Sequence, residues 1–290
     1  MRIENRLNIS ALIPTYKRID QLRKCLQTIL TCDPLPSEII IHIDGGDSET
    51  EPFLISENYP LVRWISSSIT QGPGGGRNKL IKEAKFPIIA GFDDDSWPLD
   101  QDYFQTATEI LALYPQAAVI NCQEIRPDDL SPPPRNNQIK EVNCFQNGAC
   151  LIRREAFLQT SGYLPLRYAY GMEEADVALQ FLDHGWQMLE SSNLRVFHDT
   201  QLVHHNNPAI NAAHIANTAL LAYLRYPTIY FPLGILQVLN RIKYAASVGR
   251  REGISKGLFS IPQLIWKYRY QRDPVKVNTL ILSRQLASKL

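Results

Sequence analysis

The sequence predicts an α/β fold in which helices flank a mostly parallel sheet. Four short apolar runs rich in Ile and Val recur in the first hundred residues, and a polar or helical stretch separates each run from the next. These runs are residues 8–13, 38–44, 61–66 and 87–92. Because short buried strands that alternate with helices are typical of a parallel sheet, we expect this part of the chain to form one.

Helices are predicted between the strands from the spacing of apolar residues. In the first connection, Ile19, Leu22, Leu26 and Ile29 recur three or four positions apart. Residues 78–84 likewise continue as a helix into the fourth strand. Beyond residue 100, helices are expected at 102–114, 154–160 and 173–184, strands at 117–124, 145–152 and 194–198, and a proline-rich surface loop at 126–137.

The composition excludes several classes of protein. The 290 residues are 44% hydrophobic and 20% charged, which is ordinary for a globular chain and excludes bulk disorder. Five cysteines without a C-x-x-C pair indicate neither a disulfide framework nor a zinc knuckle, and they favour a reducing cytoplasm. The N-terminus has no apolar signal segment, and no run of about 18 apolar residues indicates a membrane span.

Charge is distributed unevenly along the chain. Residues 1–224 carry 18 Lys and Arg against 27 Asp and Glu, whereas residues 225–290 carry 12 against 2. This largely helical, basic extension favours an anionic partner, either a nucleic acid or a lipid surface, and a solvated tail is the alternative. Residues 226–259 interleave aromatic and aliphatic residues with Lys and Arg, which suits the inner face of a plasma membrane, packing against the rest of the chain, or a homodimer interface. No nucleic-acid-binding module is present, so nucleic acid is not the expected partner.

Polar residues follow three of the predicted strands where each strand ends. Residues 14–18 (PTYKR) follow the first strand, Asp44 ends the second, and Asp93–Asp95 follow the fourth. In parallel sheets, ligands bind beyond the carboxyl ends of the strands, where the strand order reverses. The sequence therefore predicts a ligand site at this edge.

The three consecutive aspartates indicate a bound cation. Alternate residues of an extended segment point the same way, so Asp93 and Asp95 could face one ion. Mg²⁺ and Mn²⁺ prefer oxygen ligands, and Mg²⁺ commonly combines one or two carboxylates with substrate phosphates. The alternative, a cap for the next helix, needs only one aspartate.

A glycine cluster, TQGPGGGRNK at residues 70–79, precedes a predicted helix. Such loops let backbone N–H groups approach phosphate. The spacing does not match the motif G-x-x-x-x-G-K-[ST]. It also fails to match G-x-G-x-x-G, because Arg77 stands where the last glycine should be. Arg77 still offers a forked cation to a diphosphate, and a simple flexible turn is the alternative.

A second acidic group, Glu173, Glu174 and Asp176, falls in the first turn of a predicted helix. Helix capping explains acids at this position, but one of them could instead serve as a general base. Glu174 and Asp176 project about 200° apart, so only one can readily face a cleft. His198 and His204 follow the last predicted strand, and either could complete a metal shell.

Taken together, these segments resemble the family-2 glycosyltransferases, which have the Rossmann-like GT-A fold. The resemblance runs from about residue 8 to 205 and lies in ALIPTYKR, IHIDGGDSE, QGPGGGRNKLIKEA, IIAGFDDDSWP, NGACLIRREAF, SGYLP, YGMEEADVALQF and VFHD. It implies a GT-A catalytic domain at 1–205, with a nucleotide-sugar-binding part at 1–100 and an acceptor-binding part at 101–205. Residues 206–290 would form the helical basic extension. NTALLAYLRYP, at 217–227, is similar to rhamnosyltransferase-like members.

The resemblance also implies roles for individual residues. Glu174, or Asp176 in its place, would be the catalytic base, and Asp93 and Asp95 with His198 would hold Mn²⁺ or Mg²⁺. The sugar nucleotide would be bound by Pro14, Thr15, Tyr16, Arg18, Asp44, Gly75, Arg77, Asp93 and Asp94. The chain departs from the family pattern at Ile43, Ser96 and Glu174, where acids or a shorter Asp are common, and it has no Q-x-x-R-W sequence of processive synthases.

The resemblance implies a metal-dependent, inverting transfer of a sugar from a nucleoside diphosphate to a hydroxyl acceptor. UDP-, dTDP- or GDP-linked donors and saccharide or lipid-linked acceptors fit, in the assembly of a surface polysaccharide or glycan. Two alternatives are a nucleotidyltransferase that forms sugar nucleotides and a non-catalytic protein that binds them. The first would carry a Gly-rich loop directly after the first strand, where residues 13–18 read IPTYKR.

Overall fold

A central sheet of nine strands runs through the computed structural model, which describes residues 6–129, 132–200 and 207–289. The strands are β1 (Arg6–Thr15), β2 (Leu35–Ile43), β3 (Val62–Ser66), β4 (Ile88–Phe92), β5 (Ser96–Pro98), β6 (Ala117–Ile125), β7 (Ile139–Glu141), β8 (Ala149–Arg153) and β9 (Gln187–His198). The helices are α1 (Ile19–Ile29), α2 (Thr50–Glu57), α3 (Gly72–Glu83), α4 (Tyr103–Leu113), α5 (Arg154–Leu158), α6 (Glu173–Asp183), α7 (Pro208–Arg225), α8 (Phe231–Ser247), α9 (Ile254–Tyr268) and α10 (Val277–Ala287).

The sheet order is β3-β2-β1-β4-β8-β6-β9-β5, and β7 pairs with β9. Strands β1 to β4 are parallel to their neighbours among themselves, as the alternation of strands and helices predicts. The second half is mixed, because β8 runs antiparallel to both β4 and β6 while β6 and β9 are parallel. The predicted α/β class is therefore confirmed, with the parallel part confined mainly to the first half.

Apolar side chains cover both faces of the sheet. Along β1, Ile9, Ala11 and Ile13 point into one cluster, together with α1, α2 and α4, whereas Leu12 points into a second cluster with α3, α5 and α6. This alternation is the two-residue period of a strand that is buried on both sides. The carboxyl ends of β1 and β4 lie side by side at the point where the strand order reverses.

The C-terminal helices pack beside the acidic helix α6. Leu220 and Leu224 of α7 share an apolar cluster with residues 164–172 and with Tyr268 of α9. A second cluster joins Leu179 of α6 to α7, α8 and α10. The helical extension thus shares its apolar contacts with the segment that leads into α6.

Some elements differ from the sequence-based expectations. The glycine cluster is not a loop before a helix: it forms the first turns of α3, which begins at Gly72. The short strands β5 and β7 were not predicted, since three residues carry too little periodicity to be recognised. Within the described residues, no helix is long and apolar enough to cross a membrane.

Candidate active site

A cavity of about 810 Å³ opens at the carboxyl ends of β1, β2 and β4. The predicted site residues that line it are Pro14, Thr15, Tyr16, Arg18, Asp44, Asp93, Asp94, Asp95, Glu174 and His198. Gly75, Arg77 and Asp176 lie outside this lining, and His204 lies outside the described residues. The structure therefore brings most of the predicted residues together at the predicted edge of the sheet.

The middle aspartate of the triplet joins β1 to β4. Asp94 accepts a hydrogen bond from Oγ1 of Thr15 at 2.8 Å, and it forms an ion pair with Nη1 of Arg18 at 2.8 Å. Burial raises the pKa of Asp94 to about 7, because it outweighs the opposing effects of Arg18 and Thr15. Arg18 also reaches Asp95 at 2.7 Å, so one guanidinium holds both carboxylates.

The two outer aspartates meet His198 in a cluster suited to a cation. Ligand atoms of Asp93, Asp95 and His198 lie within 4.8 Å of one another, and Nε2 of His198 is 3.2 Å from Asp95. Carboxylates suit Mn²⁺ and Mg²⁺, and Mn²⁺ also tolerates an imidazole. The residues present therefore fit a divalent ion of this kind, as the sequence predicts.

The imidazole of His198 is fixed from its other side by Glu124, which β6 contributes. Nδ1 of His198 lies 2.8 Å from Glu124, which also pairs with Arg126 at 2.9 Å. Burial lowers the pKa of His198, but the hydrogen bonds with Asp95 and Glu124 outweigh it and raise that pKa to about 10. A carboxylate behind a metal-ligating histidine is a common arrangement that fixes the ring's orientation.

Ser96 stands where the resemblance leads us to expect a fourth acid, and it has a structural role. Its Oγ accepts the backbone N–H of Asp93 at 2.7 Å and donates to the carbonyl of Gly148 at 2.7 Å. The serine thus holds the turn that presents the aspartates. Gly148 is required there for space, because a Cβ on it would overlap the Asp93 carboxylate.

Arg77 does not line the cavity but lies buried beneath it. Its guanidinium pairs with Asp93, and Nη1 lies 3.7 Å from Glu173 of α6. Burial lowers the pKa of Arg77, but the two carboxylates outweigh it and keep the group charged. Arg77 therefore lies behind the aspartate cluster and outside the lining of the cavity.

Glu174 and Asp176 diverge as the helical geometry predicts. Glu174 lines the cavity, where burial raises the pKa of its carboxyl above the usual range. Hydrogen bonds from backbone N–H groups and the charge of Arg77 lower this pKa, but burial outweighs them. Asp176 is fully buried on another side of α6, paired with Arg225 of α7. Of the two candidate bases, only Glu174 has access to the cavity.

Asp44 lines the cavity but its oxygens already hold the start of α3. They accept the backbone N–H groups of Gln71 at 2.7 Å and Gly72 at 3.2 Å, and that of Gly45 at 2.9 Å. Gly75 faces Gln71 and Pro165 within the fold. It is Gly72 and the adjoining proline that reach the cavity from this helix.

The sequence did not show how Glu173, Asn147 and Tyr163 are connected beside the site. Glu173 is buried, and burial raises its pKa to about 8 while Asn147 donates to its Oε2 at 3.3 Å. Asn147 in turn accepts the hydroxyl of Tyr163 at 2.6 Å. Glu173 and Tyr163 both lie within motifs quoted above. Their contacts with Asn147, however, are visible only in the folded chain. Glu124 also lines the cavity and belongs to none of the quoted motifs, and Tyr170, the first residue of YGMEEADVALQF, lines it too.

The comparison with protein families decides the family of the chain. A model of glycosyl transferase family 2 matches residues 10–169, which is more than half of the chain and includes the second half of β1 and the aspartate triplet. The chain belongs to glycosyl transferase family 2. The resemblance found in the sequence is confirmed, and this glycosyltransferase has the architecture that the family implies.

Solved glycosyltransferases share the fold at low sequence identity. TarS of S. aureus, determined with UDP-GlcNAc, has 13% identity and a TM-score of 0.62 over 81% of this chain and 72% of its own. The mannosyltransferase PcManGT of Pyrobaculum calidifontis, determined with GDP-Man and Mn²⁺, has 13% identity and a TM-score of 0.59 over 97% of this chain and 84% of its own. GalNAc-T7, determined with UDP, GalNAc and Mn²⁺, has 14% identity and a TM-score of 0.63 over 94% of this chain and 60% of its own. No curated protein matches the chain in sequence.

Proposed function

We propose that this glycosyltransferase moves a sugar from a nucleoside diphosphate to an acceptor hydroxyl with inversion, using a divalent ion and Glu174 as the base. One observation carries the proposal: the Asp93–Asp95–His198 cluster and Glu174 line the same cavity. The solved structures of similar fold that contain Mn²⁺ together with GDP-Man, or with UDP and GalNAc, support a role of this kind. We infer that the acceptor is a saccharide or a lipid-linked saccharide of a surface glycan.

The ion would be held by Asp93, Asp95 and His198, and when bound it would stabilise negative charge on the departing diphosphate. Arg77 holds Asp93 from behind, so the carboxylate is oriented before any ligand arrives. Thr15 and Arg18 do the same for Asp94.

Glu174 supplies the proton transfer. In one displacement, the acceptor oxygen forms a bond to the anomeric carbon, the bond from that carbon to the diphosphate oxygen breaks, and Glu174 takes the hydroxyl proton. A carboxyl whose pKa is raised by burial is a stronger base than one in water. Because displacement occurs once, the product has the opposite anomeric configuration.

A donor panel tests the nucleotide part of the proposal. UDP-, GDP- and dTDP-sugars are added with Mn²⁺, and the donor that binds raises the melting temperature by mass action. We expect Asp95→Ala to abolish the Mn²⁺-dependent shift. A donor shift that is equally large in Asp95→Ala and in the wild type would contradict the assigned cluster.

Release of the nucleoside diphosphate, with water as acceptor, tests the chemistry. Glu174→Gln should keep the donor's thermal shift and slow release by about 10²-fold or more. Glu155→Gln, an exposed acid in α5, is the matched control and should leave both unchanged. NMR of the freshly released sugar reports its configuration, and a retained anomer would refute single displacement.

A further inference from the structure

The C-terminal part of this chain exposes an unusual share of large apolar side chains. Of the eighteen that are exposed among the described residues, twelve lie between Ile229 and Leu282. The most exposed are Phe259 at 85% and Tyr270 at 84%, and Trp266 is 67% exposed. Soluble surfaces rarely concentrate apolar groups in this way without a partner.

Phe259 and Trp266 lie on the side of α9 that faces away from the protein. The opposite side packs against α7, since a Cβ on Gly257 would lie 2.8 Å from the carbonyl oxygen of Ala212. At 100° per residue, residues 259 and 266 project about 20° apart, so both rings share one stripe. Tyr270 continues it just beyond the end of the helix. We call these three residues, with Lys256, Lys267 and Arg269 beside them, the α9 face.

The α9 face is strongly cationic as well as apolar. Its three basic residues lie in a segment, 225–290, that has 12 Lys and Arg against 2 acids. The guanidinium of Arg269 lies 3.7 Å from the ring centroid of Trp266 and 4.1 Å from that of Tyr270. Lys256 and Lys267 are exposed. Aromatic rings among Lys and Arg are the side chains that anchor helices at the boundary between lipid headgroups and acyl chains.

We propose that the α9 face docks this glycosyltransferase on an anionic lipid bilayer, with Phe259 and Trp266 inserted among the headgroups. Charge decides between this occupant and a second copy of the chain, because two like-charged basic faces repel each other whereas anionic lipid attracts them. Anionic lipid is concentrated in the cytoplasmic leaflet of a plasma membrane. The proposal does not depend on the donor sugar or on Glu174.

Vesicle co-sedimentation of the full chain tests the proposal. We expect binding to vesicles of phosphatidylglycerol and phosphatidylcholine, little binding to phosphatidylcholine alone, and weakening as salt is raised. Phe259→Ser with Trp266→Ser should weaken binding about tenfold or more, since both rings lose their burial in lipid. Leu113→Ser with Leu158→Ser, which removes two exposed apolar residues far along the chain, should change nothing.

Fluorescence locates the contact. Trp266 should shift to shorter wavelength on the anionic vesicles, and Trp266→Phe should remove most of the shift while it preserves binding. Failure of the wild type to sediment with anionic vesicles, or undiminished binding by the double variant, would overturn the proposal. So would a dimer in analytical ultracentrifugation that the double variant dissociates. The donor's thermal shift, measured on the same variant, should be unchanged, which separates this outcome from failure of the proposed function.

Discussion

Two acids that stand two positions apart in α6 serve different purposes. Glu174 faces the cavity, whereas Asp176 is fully buried and paired with Arg225. Arg225 is itself only 1% exposed and also donates to Oγ of Ser161 at 2.8 Å. A buried carboxylate that holds a buried guanidinium stabilises the fold. Substitution of Asp176 should therefore lower stability, whereas substitution of Glu174 should lower activity.

Asp176→Asn should lower the free energy of unfolding by about 3–5 kcal/mol, because it leaves the buried charge of Arg225 without its partner. Urea denaturation measures the loss. Glu174→Gln is the control and should unfold at nearly the wild-type midpoint, since no buried pair is broken. Equal stability of Asp176→Asn and the wild type would show that the pair contributes little.

His42 should make stability depend on pH. Burial lowers the pKa of this imidazole to about 4, whereas the unfolded chain takes up its proton near the ordinary value of 6.5. Between these values the unfolded state binds more protons, so stability is complete above pH 6.5 and is lost as the pH falls toward 4. Urea midpoints at pH 7 and pH 5 should therefore differ more in the wild type than in His42→Gln. The same difference in both proteins would contradict this role.

At the scale of elements, α3 shows why glycine can be required inside a helix. Gly74 lies against the carboxylate of Glu173 and the side chain of Tyr163. An alanine in a helix interior is normally about 1 kcal/mol more favourable than glycine. Here the added methyl would overlap Oε1 of Glu173 and lie 2.9 Å from Cβ of Tyr163, so the sign should reverse.

Gly74→Ala should thus destabilise the protein and disturb the Glu173–Arg77 contact behind the aspartates. Thermal unfolding and the Mn²⁺ requirement for donor binding report the two effects. Gly75→Ala is the matched control, because its nearest neighbour, Cβ of Gln71, would be 3.0 Å away and the space is less restricted. A larger loss of melting temperature in Gly75→Ala would refute the packing argument.

Helix α7 positions the segment that precedes Glu174, the proposed base. Nδ2 of Asn217 donates to the backbone carbonyls of Tyr168 at 2.9 Å and Tyr170 at 3.0 Å. Tyr170 lines the cavity, and Glu174 follows four residues later. Asn217 therefore connects the C-terminal helices to the side of the cavity that Tyr170 lines.

Asn217→Ala should slow nucleoside diphosphate release without changing donor affinity, and it should reduce stability by about 1–3 kcal/mol because two buried carbonyls lose their donor. Asn211 offers a matched control. Its Nδ2 makes the same pair of bonds, both at 2.8 Å, but to the carbonyls of Arg250 and Glu252. Asn211→Ala should therefore lower stability and leave the rate of nucleoside diphosphate release unchanged. An equal loss of this rate in both variants would contradict the positioning role of Asn217.

Sequence reasoning succeeded where a local pattern carried the information. The period of two in β1 was enough to predict a buried strand of the sheet, and the residues directly after β1, β2 and β4 line one cavity as expected. A local pattern carries no information where the partner is distant along the chain. Arg77 reads as a cation for a diphosphate, and only the fold shows that Asp93 and Glu173 already surround it. Pairing of Asp176 with Arg225, 49 residues away, likewise leaves no local signal.

At the scale of the whole molecule, the cavity and the C-terminal helices are not independent. Ile210 of α7 contributes to the cavity lining, and two apolar clusters join the C-terminal helices to residues 164–182. The division between a catalytic domain at 1–205 and an extension at 206–290 stays a prediction from the sequence. The shared clusters indicate how a shortened chain should behave.

Residues 1–206 alone should fail to form a stable protein, because Leu164, Leu166 and Met172 would be exposed and Asp176 would be buried without Arg225. Circular dichroism and dye binding to exposed apolar surface would detect the defect. A shortened chain that melts as cooperatively as the full one would show that the sheet is self-sufficient.

The position of α7 has one more consequence. It lies between α9, which carries the proposed lipid-facing stripe, and the stretch from Tyr168 to Asp176 that contains Glu174. Docking of α9 on lipid, as proposed above, would therefore be connected through this one helix to the chain on both sides of Glu174.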